Sequence, residues 1–187
     1  TDETLKMVYL PNIINLIKQF MEIAELINSI ASKQGCEVMK REQPIDLSEY
    51  SLPADLNYYL SNYNGIKLFT DKPFGITIVG FDDFKVTNKI LYPEGDVIWE
   101  ELEGDISENW YLIAKAEELE QYISIDLGEE RKGYCYDSFL ETHANPGLSL
   151  IIAKSFTELL FLLLKAGGEH WYWTEEDFEG YGDAYDD

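Results

Sequence analysis

Apolar side chains recur every three or four residues from Leu10 through Ile13, Ile14, Ile17, Met21, Ala24, Ile27 and Ile30. That spacing places them on one face of an α-helix, with Pro11 in its first turn and Gly35 beyond its end. Residues 37–51 are mostly polar and show no period, so they read as a connection. A second helix is predicted from Leu52-Pro53, because the fixed φ of proline suits a first helical turn. It turns Leu56, Tyr59, Leu60 and Tyr63 inward and stops at Asn64-Gly65. From Gly65 the period shortens toward two. Residues 66–69 and 75–79 are strand-like and flank Thr70-Asp71-Lys72-Pro73, a turn composition that predicts a hairpin. Residues 81–93 carry no clear pattern. Residues 110–114, 122–127 and 134–139 are β-rich, and polar and apolar positions partly alternate in Tyr122-Ile123-Ser124-Ile125-Asp126-Leu127, as in a strand with one buried face. They predict an antiparallel meander. Residues 148–153 form a further strand, and Ser155-Phe156-Thr157-Glu158 matches a capping box opening a Leu-rich helix that ends at Gly167-Gly168.

Helices first, then strands, then one helix, with no βα alternation and no internal repeat, define an α+β class. The expected architecture is a largely antiparallel sheet of about five to six strands, flanked by N-terminal helices and one C-terminal Leu-rich helix. At 187 residues the chain is expected to be a single domain, with a helical extension over about 1–44 and an acidic, aromatic tail over about 169–187. The tail is expected to be an interaction device on a core already closed by the Leu-rich helix, so truncation after Gly168 is expected to leave the fold largely intact.

Charge changes the picture. There are 36 acidic and 14 basic side chains, a formal net charge of −22, yet 45% of the residues are hydrophobic and 14% aromatic, which excludes a disordered chain. Nucleic-acid binding needs clustered lysine and arginine to displace counterions, and no segment is net basic, so no nucleic-acid partner is expected. Anionic membranes are excluded for the same reason. The stretch 11–31 is broken by Lys18, Glu22 and Glu25 and reads as neither signal peptide nor span, and two unclustered cysteines, Cys36 and Cys135, fit a reducing compartment. A cytoplasmic location is expected. The acidity is regional: residues 1–92 carry a net −3 and residues 93–187 a net −19. It concentrates in Glu94, Asp96, Glu100, Glu101, Glu103, Asp105 and Glu108, and in a tail holding Glu175, Glu176, Asp177, Glu179, Asp183, Asp186 and Asp187 among Trp171, Tyr172, Trp173, Phe178, Tyr181 and Tyr185. Solvating tails lack aromatics, whereas interface cores are enriched in them.

Material for chemistry is sparse. His143 and His170 are the only histidines and form no metal-ligand spacing with the cysteines, and Asp177, Glu179 and Asp183 lack the ligand register of a calcium loop, so no metal is expected. Cys135 reads as a small buried hydrophobe and not a nucleophile beside His143. Asp126 with Glu129 or Glu130 formally resembles a glycosidase pair, but an aspartate at a strand end before a glycine turn more simply accepts backbone N–H groups. No dinucleotide, P-loop or nucleophile-elbow motif is present, so neither enzyme activity nor a cofactor is expected.

Several of these features, taken in order, resemble the SUKH superfamily, which includes a fungal cell-wall-synthesis regulator and many bacterial immunity proteins. They are Leu52-Pro53 opening a helix before Asn64-Gly65, Trp110 before Ile113-Ala114, Asp126 before a turn and Gly133-Tyr134, and Ser155-Phe156 opening a Leu-rich helix. The likeness spans roughly residues 45–166. It implies an α+β fold in which Leu52, Pro53, Asn64, Gly65, Trp110, Asp126 and Gly133 are structural, and a non-enzymatic protein that binds and neutralises a cognate toxin. An intracellular regulatory or scaffold role is the alternative it implies. A toxin that is a basic nuclease would suit an acidic inhibitor. The residues expected to face such a protein partner are Glu100, Glu101, Glu103, Asp105, Glu108, Trp171, Trp173, Glu175, Glu176, Asp177 and Glu179.

Overall fold

The computed structural model describes residues 22–186. Helix α1 covers residues 22–31 of this span, and Ile23, Ile27 and Ile30 are each at most 1% exposed, as the three- and four-residue spacing requires. Leu10, Pro11, Ile13, Ile14, Ile17 and Met21, the remainder of that predicted helix, lie outside the described residues.

Residues 37–40, expected to open a connection, instead belong with Cys36 to strand β1 (Cys36–Lys40), paired antiparallel with β2 (Tyr63–Leu68) through Cys36–Leu68 and Val38–Ile66. Pro53 caps α2 (Ala54–Asn62), and Leu56, Tyr59 and Leu60 are fully buried. The helix does not end on Asn64-Gly65, however. The Tyr63 N–H closes the last turn on the Tyr59 carbonyl while its own backbone is already extended, so Asn64 and Gly65 belong to β2. Strand pairing on both sides takes precedence over a helix-terminating role for the glycine: Gly65 pairs with Met39 and with Val79.

The predicted hairpin is present, with β2 turning into β3 (Ile76–Val79). The unpatterned region that follows contains a short helix, α3 (Thr87–Leu91), and the acidic stretch after it a second, α4 (Ile98–Leu102). Then come β4 (Trp110–Ala116), β5 (Gln121–Asp126), β6 (Cys135–Asp137) and β7 (Ile151–Ala153), and helix α5 (Phe156–Ala166). The seven strands stand side by side in chain order, every pair antiparallel, so the sheet is one continuous meander and the class is α+β. The strand beyond the expected six is β1.

Side chains leave a strand alternately to either face. One face carries Ile66, Ile78, Ile123, Ile125, Cys135 and Ile152 into the main core, where Ile23 and Ile27 of α1, Leu56 and Tyr59 of α2, and Phe156, Leu159 and Leu160 of α5 close over them. The opposite face carries a smaller cluster of Trp110, Tyr136, Ile151 and Ala184. At the start of α5 the Ser155 hydroxyl accepts the Glu158 N–H at 3.1 Å, while the Glu158 carboxylate accepts from Lys154 N at 2.7 Å, one residue before the usual capping-box partner. Gly167 then ends the helix at a φ of 66°. The next residue, Gly168, permits a close approach: a Cβ there would lie 2.5 Å from Phe69 Cβ, and its carbonyl accepts the Phe74 N–H.

The tail does not extend from this core; it completes it. Trp171, Tyr172 and Trp173 are 8%, 8% and 5% exposed, Trp171 stacks on Trp173, and the Tyr172 hydroxyl donates to the Ile152 carbonyl at 2.7 Å. Further on, residues 181–184 run antiparallel to β7, with Ile151 N–H to Gly182 O at 2.9 Å, Ala184 N–H to Ser149 O at 2.8 Å, and a bridge between Leu150 and Asp183. The tail thereby satisfies the edge of the sheet that β7 would leave open.

Candidate partner-binding surface

Four residues of the sequence signature meet at one end of the sheet. Trp110 and Asp126 pair across β4 and β5. The Gly133 N–H donates to the Asp126 carbonyl at 2.7 Å, and Gly133, at a φ of +94°, lies against Pro53 so closely that a Cβ would sit 3.4 Å from Pro53 Cγ. Asp126 is 6% exposed. Its Oδ1 accepts the Gly128 N–H and its Oδ2 the Tyr136 hydroxyl, both at 2.6 Å. Burial raises its pKa above the usual carboxylate range, against the pull of these two donors, of Trp110 and of the Arg131 charge. The aspartate is thus occupied in shaping its own turn, while Glu129, exposed, pairs with Lys132 at 3.1 Å. Asp126 lines a hollow with Glu129, Glu130 and Asp186, but both of its oxygens are engaged, by the Gly128 N–H and the Tyr136 hydroxyl. Cys135 is fully buried and its thiol is pushed well above the ordinary value by burial, the state of a packing residue and not of a nucleophile.

Arg131, in the same turn, holds the end of the chain. Its Nη1 donates to the Asp183 and Ala184 carbonyls at 3.1 and 2.8 Å, and its Nη2 donates to the Asp186 carbonyl. Nearby, the Tyr185 hydroxyl donates to Asp105 Oδ1 at 2.9 Å, and its ring meets Trp110 edge-on at 5.9 Å. The tail's last residues therefore reach the acidic stretch 94–108, as one directed surface would need. The carboxylates Glu175, Glu176, Asp177 and Glu179 are exposed earlier in the tail, near α5, where the Tyr181 hydroxyl bonds Glu158. No side-chain hydrogen bond or ion pair of the described residues joins those four to the 94–108 stretch.

Of the residues expected to face a partner, Glu100, Glu101, Glu103 and Glu108 are exposed and Asp105 is half-buried. Asp105 accepts from Ser107 N and Tyr185, and Glu108 accepts from Gly104 N, so both also fold their own loop. Trp171 and Trp173 are interior groups: the Trp173 indole N–H donates to Asp137 Oδ2 at 3.0 Å and Trp171 meets Phe74 edge-on. Their expected role as anchors for a partner is withdrawn for that reason. Two residues that sequence reasoning passed over organise the ends of the structure. Asp55 in α2 accepts both the N–H and the hydroxyl of Thr157 at 2.9 Å, tying the first turns of α2 and α5 together, and Arg131 ties down the tail. Neither carries a local signal, because both sets of partners are distant in sequence. Among the described residues no group of histidine, cysteine, aspartate or glutamate is arranged to hold a metal ion, and no helix is long and apolar enough to cross a membrane.

The antiparallel sheet backed by helices is of the α+β class that the sequence likeness implies. A sequence model of the SMI1/KNR4 family (SUKH-1) matches residues 46–162, and the chain belongs to that family. It is 36% identical over 167 residues to "Immunity protein YokJ" of Bacillus subtilis (strain 168), an alignment covering 89% of this chain and 97% of that protein. No solved structure matches the chain significantly.

Proposed function

We propose that this protein is an immunity protein that binds a cognate toxin in the cytoplasm and neutralises it by occlusion, without catalysis or a cofactor. The observation that carries this reading is the likeness to an immunity protein along nearly the whole of both chains, beyond the family core alone. The partner-facing surface is assigned to Glu100, Glu101, Glu103, Asp105 and Glu108, with Glu175, Glu176, Asp177 and Glu179 as a second acidic zone. None of these nine carboxylates is ion-paired among the described residues, so their field reaches solvent unneutralised. Such a field accelerates encounter with a basic protein and disfavours acidic ones. A nuclease, basic because its substrate is a polyanion, is the toxin class that this charge suits best. The test mixes the purified protein with the toxin encoded beside its gene at low salt and follows toxin activity. Stoichiometric suppression is expected, and an undiminished toxin would overturn the assignment.

A further inference from the structure

Between β3 and β4 the chain builds a groove of about 390 Å³, lined by the apolar side chains of Val86, Trp99 and Leu102 and by the polar or charged Asn88, Lys89, Glu103 and Glu108. The same insertion leaves Val97 79% exposed, and Ile90 and Ile106 41% and 42% exposed. One exposed apolar side chain is ordinary, but Val97, two residues from Trp99, and Ile90, next to Lys89, add bare apolar surface to the segments that line the groove, whereas Ile106 lines a separate hollow with Asp126 and Arg131. Trp99 is fixed there by its indole N–H, which donates to the Pro93 carbonyl at 2.8 Å, so its ring is a preorganised wall.

Charge identifies the occupant. Residues 86–109 hold seven carboxylates and one cation, Lys89. Glu94, Glu100, Glu101 and Glu103 form neither an ion pair nor a side-chain hydrogen bond among the described residues, and on the groove itself Glu103 and Glu108 stand against the single cation Lys89. A second copy of this chain, itself carrying −22, would meet repulsion here. We infer that the groove is the docking site for a basic protein segment that inserts an apolar side chain between flanking lysines or arginines, and that this segment belongs to the toxin. The inference rests on the immunity reading and names the surface through which it acts. Carboxylates around the rim set the rate of arrival, and the apolar contact with Val97 and Trp99 sets the residence time.

The probe is the toxin encoded beside the gene, with association and dissociation rates measured at low and high salt. Val97→Ser and Trp99→Ala are expected to speed dissociation about tenfold or more. The combined Glu100→Gln, Glu101→Gln, Glu103→Gln variant is expected to slow association about tenfold at low salt and to flatten its salt dependence. Val97 is almost fully exposed, so Val97→Ser retains the native melting temperature and separates docking from folding. If wild-type protein neutralises the toxin while all of these variants keep wild-type rates, the groove assignment is overturned and the immunity reading stands. Rates altered only by the Glu175→Gln, Glu176→Gln, Glu179→Gln combination overturn it in favour of the tail. A wild-type dimer in sedimentation that Val97→Ser dissociates, with toxin binding unaffected, overturns it in favour of a self-interface. A wild-type protein that binds no toxin removes the immunity reading and the groove with it.

Discussion

His143 is 4% exposed, packed edge-on against Trp110, with its Nε2 2.7 Å from Asn88 Oδ1. Asn88 spends its amide N–H on Ser107, so its oxygen must accept, and the histidine proton sits on Nε2. Burial pushes the His143 pKa from its ordinary 6.5 down to about 4, only weakly opposed by the Asp105 charge. Below 6.5 the unfolded chain takes up a proton that the native state refuses, so this contribution to stability is complete above 6.5 and is lost as pH falls toward 4. The loss is about 3 kcal/mol. His143→Gln, whose amide can still donate to Asn88, is expected to remove that dependence when urea unfolding of the two proteins is compared between about pH 7 and pH 4.5. Buried Asp126 and Asp137, raised by desolvation, act with the opposite sign, gaining stability on acidification, but they are common to both proteins and cancel in the difference. Asp126 was legible as a turn acceptor because its Gly128 partner is two residues away; the neutral state of His143 was not, because Asn88 is 55 residues distant.

Among the elements, those whose signals are local were readable and those made by pairing were not. Helix α5 announces itself through Ser155 and Gly167, and Ser155→Ala is expected to cost about 1 kcal/mol in chemical denaturation by removing the acceptor for the Glu158 N–H. Strand β1 has no local signature because it is an edge strand whose residues are only half-buried or exposed, so its alternation is faint and its identity comes from β2. The tail is illegible for the opposite reason: aromatic residues serve an interface or a core equally well, and only the packing distinguishes them. Removing everything after Gly168 takes Trp171, Tyr172 and Trp173 out of the core and uncovers β7, so contrary to the sequence expectation it should destabilise the protein by at least about 5 kcal/mol, seen as a sharply lowered melting temperature or a failure to fold. Arg131→Gln is milder. It removes donors from the carbonyls of Asp183, Ala184 and Asp186, and faster amide exchange at Ile151 and Ala184 is expected, with about 1–3 kcal/mol of lost stability.

For the molecule as a whole, a charge of −22 on 187 residues means that folding works against self-repulsion. The melting temperature at neutral pH should therefore rise as sodium chloride is added up to about 0.15 M, where the screening length has fallen to about 8 Å. A melting temperature indifferent to salt would show that the carboxylates are too dispersed to interact. The sequence by itself determined the composition of that charge and its bias to the second half, the α+β class, six of the seven strands and the caps of α5, because each is written in periodicity, turn chemistry or counting over neighbouring residues. Tertiary structure alone decided that the tail is core, that Arg131 and Tyr185 bring its end to Asp105, and that Val86, Trp99 and Leu102 line one groove. Those facts depend on contacts between residues far apart in the chain, whose burial and hydrogen bonding no local pattern encodes.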